Sequence, residues 1–336
     1  MSQTSEYTEL VTASEWQFEL RNVLDEWASQ PGANHVVISP DVDGLTSAAI
    51  LNSIYPLKII GIYTTTHLLM LDQYDQNHAK NALWLDHDVS QIGVRSVGQH
   101  LVHHKPTDKL PLREPGSWNP NVWVKQSWSQ SFSGVGGKKR DKYPYGTAHF
   151  LWDLKNGNKE PTPEQTALLA HADGTWFALD CYKTNASIWK ELMFAESKWI
   201  ENLLNYREEH AAHPLHQRLA NELHQIGYSS QSRSPKAQNL PSELKGLTGR
   251  QSLTIRITSN PLRYLERITL GLDLISGHIK STPEIGTTVN FLMSGKRELL
   301  YPNRIEDFDS LMVEAKIFSH AFTDLRSLSY TVNLQL

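Results

Sequence analysis

The chain has 336 residues, with 36 Asp and Glu against 32 Lys and Arg, for a net charge of −4. That balance excludes a globally basic nucleic-acid binder but leaves room for a local basic groove. The single cysteine, Cys181, excludes an internal disulfide and a cysteine-built zinc site. At 39% hydrophobic and 20% charged residues the composition is that of an ordinary globular protein, long enough for two domains and without an apolar stretch of membrane-spanning length. The N-terminus, MSQTSEYTEL, has neither a basic start nor an apolar core, so no signal peptide is expected and a reducing cytoplasm fits best.

Residues 14–29 (SEWQFELRNVLDEWAS) have helical spacing, with Trp16, Leu20, Val23, Leu24 and Trp27 on one face and Pro31–Gly32 beyond its end. HVVISPDVDGLTSAAIL follows. Val36, Val37 and Ile38 read as a buried strand, Asp41 and Asp43 come at its end, and Leu45, Ala48, Ala49 and Leu51 begin a helical pattern. KIIGIY (58–63) and ALWLD (82–86) read as further strands, and residues 97–102 as a fourth. Strands alternating with helical patterns predict a parallel sheet with βαβ crossovers. Residues 106–145 form a long loop rich in Pro, Trp, Ser, Gly and Lys, whose aromatics include Trp118, Trp123, Trp128, Phe132, Tyr143 and Tyr145. Inside it, Lys138, Lys139, Arg140 and Lys142 stand beside glycines, a combination able to cradle phosphate and equally at home on a solvated surface. Helices are expected over 146–154, from the capping box Thr162-Pro163-Glu164-Gln165 to Asp173, over 185–210 and over 214–226. Residues 228–246 read as a linker, and strands are expected at 252–258, 287–293 and 330–336, with 311–322 either strand or helix. The predicted organisation is an N-terminal helix (1–30), an α/β parallel-sheet domain (31–227), the linker, and a smaller α/β domain (247–336) for substrate binding or an accessory role.

Acids or histidines end four of these elements: Asp41 and Asp43; Asp86; His100, His103 and His104; and Asp173. Carboxylates delivered by strand ends lie at the carboxyl edge of a sheet, where open α/β sheets bind ligands. In an extended segment the i, i+2 spacing would point Asp41 and Asp43 the same way. Carboxylates held together repel one another unless a cation lies between them, and carboxylate with imidazole suits manganese, magnesium, iron or zinc. Each residue also has a plainer reading: Asp43 or Thr46 as a helix cap, Asp86 as another, the histidine pair as a surface or core feature, Asp173 as a helix end.

Taken in order, these segments resemble the DHH phosphoesterases, a family that includes RecJ-like exonucleases, oligoribonuclease-type phosphodiesterases and family II pyrophosphatases. ISPDVDGLTSAAIL is similar to the first motif, ALWLDHD to the motif of the bridging aspartate, LVHHKP to the Asp-His-His motif, and LLAHADGTW to the final motif; together they span roughly residues 33–180. The resemblance implies a DHH-type N-terminal domain binding two divalent ions, manganese or magnesium. Asp86 would bridge them, Asp41, Asp43, His103 and Asp173 would be the remaining ligands, and His104 would contact the scissile phosphate. The chain departs from the pattern in two places. Val102 stands where the signature aspartate belongs, and an alternative alignment puts Gly98-Gln99-His100 on the signature, with Gln99 in the metal-ligand place and His100 in the phosphate-contacting one. The glycine-rich C-terminal segment of many members is missing, ISGHIK and MSGKR being weak substitutes, so recognition is expected from the 106–145 loop, its aromatics stacking on bases.

The function this implies is hydrolysis of a phosphodiester in a nucleotide or single-stranded oligonucleotide by metal-activated water, without membrane association and with homodimers left open. The alternative is a catalytically inactive descendant that binds nucleic acid or a protein partner through the same surface.

Overall fold

The computed structural model describes residues 13–30, 33–103, 116–125, 142–175, 183–204, 214–228, 260–300, 310–311, 316–324, 327–332, 334 and 336. Helix α1 (Ala13–Ala28) turns Trp16, Leu20, Leu24 and Trp27 inward, the stripe expected from their spacing. Strand β1 (His35–Ile38) and helix α2 (Val42–Asn52) follow, then β2 (Lys58–Tyr63), β3 (His67–Leu71), α3 (Gln76–Asn81), β4 (Leu83–Leu85) and β5 (Arg95–Val97). β1 lies at the centre of the sheet, parallel to β2 on one side and to β4 on the other, with β5 parallel beyond β4. Alternate residues serve opposite faces. Val36, Ile38, Leu83 and Leu85 join the larger core with α2, while Val37, Trp84, Ile60 and Met70 join a second cluster. Both faces are covered, which is why these strands read as continuous apolar runs.

The sheet is mixed, and the expectation of a parallel sheet holds for its β5-β4-β1-β2 part and for the two residues Glu284 and Ile285 that pair parallel with β2. β3, which has no counterpart among the expected strands, runs antiparallel to β2, and β7 (Val289–Ser294) runs antiparallel to β3. The cause is the connection between β2 and β3. Only Thr64, Thr65 and Thr66 join them, Thr65 takes a left-handed conformation (φ 68°), and so short a turn can join only antiparallel neighbours.

Three helices pack beneath α2: α5 (Thr147–Asn156), α6 (Pro163–His171) and α10 (Pro261–Ile279). The short α4 (Pro120–Trp123) precedes them, and α7 (Lys183–Met193), α8 (Trp199–Leu204) and α9 (Pro214–Ile226) lie between α6 and α10. The capping box at Thr162 forms as expected, and the single helix expected over 185–210 is two, with a break between Met193 and Trp199. α10, the longest helix described, buries Tyr264, Ile268, Leu272 and Ile275; no helix was expected there.

Beyond α10 the chain returns to the first sheet. β6 (Glu284–Ile285) pairs with β2, and β7 pairs with β3. The first sheet therefore continues past the expected linker, most of which (229–246) lies outside the described residues, as does the strand expected at 252–258. β8 (Lys296–Leu300), β9 (Ser319–Asp324) and β10 (Ser327–Val332) form a second, antiparallel sheet in the order β8-β10-β9. It is fastened to the first by Tyr63 Oη to Ser319 Oγ at 2.8 Å, by the Ser90 N–H donating to the Phe318 carbonyl at 2.7 Å, and by the Phe318 ring against Tyr63 and Trp84. No helix among the described residues is long and apolar enough to cross a membrane.

Candidate active site

The chain leaves β1 and turns into α2 through Ser39, Pro40 and Asp41. Asp41 caps α2, its Oδ1 accepting the Gly44 N–H at 3.0 Å and the Ser39 hydroxyl at 2.8 Å. The turn needs glycine at 44, where a Cβ would lie 2.0 Å from Ser39 Oγ and 2.6 Å from the Ser39 carbonyl oxygen. Asp43 lies in the first turn of α2, not in an extended segment as its spacing suggested, so its carboxylate takes its own direction. It is buried and accepts the backbone N–H groups of Thr147 at 2.8 Å and Ala148 at 2.9 Å. It thereby caps the N-terminus of α5, where Gly146 has no side chain to do so and where a Cβ would meet Asp43 at 2.5 Å.

Asp86 follows β4 directly, in a left-handed conformation (φ 59°) that aspartate tolerates better than most residues. Its buried carboxylate shares the single Ser39 hydroxyl proton with Asp41, at 2.6 Å, and accepts the Thr147 hydroxyl at 2.8 Å, so Ser39 ties Asp41 to Asp86. His100 Nε2 lies 3.9 Å from Asp86 Oδ1. Asp173 is also left-handed (φ 50°), in the single turn that follows α6, and its Oδ2 accepts the Gln99 side-chain N–H at 3.1 Å. All of this lies at the carboxyl ends of β1, β4 and β5. The chain leaves β1 toward β2 but reaches β4 and β5 on the other side, which makes the β1–β4 crevice the topological switch point of the sheet.

Burial raises all four carboxylates, and neighbouring carboxylates raise three of them further. Burial and then Asp41 push Asp43 up to about 6. Burial and then Asp43 push Asp173 up to about 8, against the opposing pull of Lys142. Asp86 is held well above the carboxylate range by burial, Asp43 and Asp41 in that order, and Asp41 is raised by burial. Burial and the nearby Lys142 cation hold His100 well below the usual imidazole range, so it is neutral at pH 7. Burial lowers Lys142, while Asp173, Asp88 and Asp86 pull it back up.

Of the histidines predicted for the site, His100 is the one found against Asp86. His103 is buried, and its neighbour Val102 packs with Ile317, Leu328, Tyr330 and Val332 beside the second sheet. β5 ends at Val97, five residues before the end expected for it. There Asp88 accepts the backbone N–H groups of His100 at 2.6 Å and Leu101 at 3.1 Å and draws the chain off the ladder. In the alternative alignment the signature aspartate falls on Gly98. A Cβ there would lie 2.6 Å from the His87 carbonyl oxygen and 2.9 Å from Asp88 Oδ2, so the space is already taken by Asp88. His104, Lys138, Lys139 and Arg140 lie outside the described residues. The aromatics at 118, 143 and 145, expected to stack on bases, are core residues, with Trp118 5.8 Å from Trp16 and Tyr143 5.2 Å from Trp189. Ser39 and Thr147 went unnoticed as site residues, whereas the alternative alignment places Gln99 there. Ser39 sits two residues before Asp41 and could have been flagged; nothing in the sequence links Thr147 to Asp43, 104 positions away.

The chemistry of the donor set, hard carboxylate oxygens whose mutual repulsion is relieved by positive charge, fits a divalent cation. Among the described residues no group of three or more His, Cys, Asp or Glu side chains is arranged as a ligand set, and the oxygens of Asp43 and Asp86 are engaged by α5 and by hydroxyl donors. No family model matches this chain, and neither does any curated protein or solved structure.

Proposed function

We propose that this chain is a metal-dependent phosphoesterase that hydrolyses phosphodiester bonds of a nucleotide or single-stranded oligonucleotide. The observation that carries the reading is the meeting of Asp41, Asp43, Asp86 and Asp173 at the switch point of the sheet, all raised by burial and the last three also by neighbouring carboxylates. The resemblance of the four motifs to the DHH phosphoesterases supports the same chemistry.

Asp41 and Asp86, tied through Ser39, would hold one divalent ion, and Asp43 with Asp173 would contribute to a second. When bound, such ions lower the pKa of water and offset charge on phosphoryl oxygens. Ser39 and Thr147 keep the Asp86 carboxylate in one orientation by donating to its two oxygens. The neutral His100 imidazole, with its main chain pinned by Asp88, can hydrogen-bond a leaving oxygen. Lys142 supplies positive charge facing Asp173 and Asp86, where a phosphate would otherwise meet only carboxylates.

Gln99 favours a second reading. A carboxamide donating to Asp173 stabilises that acid without a metal, as a non-catalytic binding protein would require. Hydrolysis of bis-p-nitrophenyl phosphate, short single-stranded DNA and RNA, cyclic dinucleotides and pyrophosphate in the presence of Mn2+ separates the two. The phosphoesterase reading predicts turnover of at least one diester and a loss of about 100-fold or more in Asp86→Asn. No turnover of any substrate favours the binding protein.

A further inference from the structure

A cavity of about 550 Å³ opens at the opposite end of β1 from the carboxylates. It is walled by Trp27 and Gln30 from the end of α1, His35 at the start of β1, and Asn77, His78 and Asn81 on α3. The length of β1, roughly 10 Å at about 3.3 Å per residue, separates it from the carboxylates.

Apart from Ala33, which also lines it, every one of these side chains carries hydrogen-bonding groups, and none is a carboxylate, an ammonium or a guanidinium. The walls themselves offer an ionic ligand no counter-charge, the charged groups beside them being engaged, Arg95 with Gln30, Asp75 with His78 and Lys58 with Glu284, and a purely apolar ligand would strand the carboxamides. Several of the polar groups are already oriented by neighbours. Arg95 donates to Gln30 Oε1 at 2.6 Å, which leaves the Gln30 amide hydrogens as donors. Asn81 donates its side-chain N–H to the Asn77 carbonyl at 2.8 Å, which leaves Asn81 Oδ1 as an acceptor. Asp75 holds His78 through Nδ1 at 2.6 Å, leaving Nε2 for a ligand. The Trp27 indole N–H, in a side chain that is 1% exposed, has no acceptor among the described residues. The walls also offer flat surfaces: the His35 and His78 rings lie 6.3 Å apart and both stand edge-on to Tyr74. A neutral, planar ligand with donors and acceptors along one edge satisfies all of these features, and the volume holds a ring with an attached sugar.

We propose that this cavity binds an uncharged nitrogen heterocycle, a nucleobase presented as a nucleoside, at a site separate from the carboxylates. The proposal does not depend on the chain being a hydrolase.

Ligand-observed saturation-transfer NMR on the full chain, with adenosine, guanosine, cytidine and uridine as probes and ribose as the control, tests it. At least one nucleoside should bind saturably with a Kd below about 1 mM, and ribose should not. The double variant Asn77→Ala/Asn81→Ala, on the surface of α3, should weaken that binding about 10-fold, while Asp86→Asn leaves it unchanged. Circular dichroism should show the double variant folded, and Gln30→Ala gives the same reading from a different wall. Absence of saturable binding by all four nucleosides overturns the proposal. So does binding that survives the wall substitutions, or binding that is lost in Asp86→Asn.

Discussion

Asp43 answers two demands at once. Its charge belongs to the carboxylate set, yet its two oxygens hold the first turn of α5 through the Thr147 and Ala148 N–H groups. Replacing it by alanine removes a buried cap as well as a charge, and caps are worth about 0.5–2 kcal/mol. Asp43→Ala should therefore lower the urea-unfolding free energy by about 1–2 kcal/mol, after allowance for the relief of repulsion from Asp41. An unchanged midpoint would mean that α5 finds another cap. Gly98 makes a second residue-scale case. Gly98→Ala drives a Cβ into the His87 carbonyl and the Asp88 carboxylate, and overpacking of this kind costs about 1–3 kcal/mol; stability equal to wild type in the same assay would show that the 86–100 segment relaxes freely. Asp41 and Asp86 were legible as candidates because acids at strand ends carry a topological meaning, and Asp173 because an acid ends its helix. The double role of Asp43 was not, because its partner is 104 residues away.

At the scale of elements, periodicity located β1, β2, β4, α1 and α9, while β3 and α10 escaped notice. HLLML is five residues behind a three-residue turn, too short for its alternation to stand out. α10 does have the helical pattern, Asn260 as cap and Pro261 in its first turn, but Gly271 and Gly277 interrupt the run of helix formers. Gly271 has a packing reason: a Cβ there would lie 2.5 Å from the hydroxyl oxygen of the buried Tyr228. Gly271→Ala sets a propensity gain of about 1 kcal/mol against an overpacking cost of about 1–3 kcal/mol. We expect a lower melting temperature; a higher one would show that Tyr228 swings aside. The C-terminal strands read as a separate small domain because sequence gives no sign of which sheet a strand will join. β6 and β7 join the first, and only β8, β9 and β10 form a second.

For the whole molecule the buried ionisable groups predict a pH signature. His87, His149 and His171 are depressed to about 4 by burial. They remain neutral in the folded chain while the unfolded chain takes up protons, so the stability they contribute grows as the pH rises to their ordinary value of 6.5 and is then complete. Asp173, pushed up to about 8, and Asp86, raised well above its ordinary value, act in the opposite sense. The folded state keeps protons that the unfolded chain has already lost, so their contribution is whole below the unfolded value of 3.8 and disappears as the pH passes the folded value. Above pH 6.5 the histidines have made their contribution and the raised acids lead, opposed by Lys142, which burial lowers. In EDTA the melting temperature should therefore fall between pH 6.5 and 8.5, and Mn2+ should reduce that fall by taking the place of the protons. A flat profile in EDTA, or the same fall with and without Mn2+, would contradict this assignment of charge.

The central claim is that the carboxylates at the switch point form a divalent-cation site. Electron paramagnetic resonance of free Mn2+, titrated with wild type and with Asp86→Asn, tests it most directly. The account predicts saturable loss of the free-ion signal in wild type, with binding weakened by about 10-fold or more in the variant. A signal that wild type does not reduce, or reduces no more than the variant does, would contradict it.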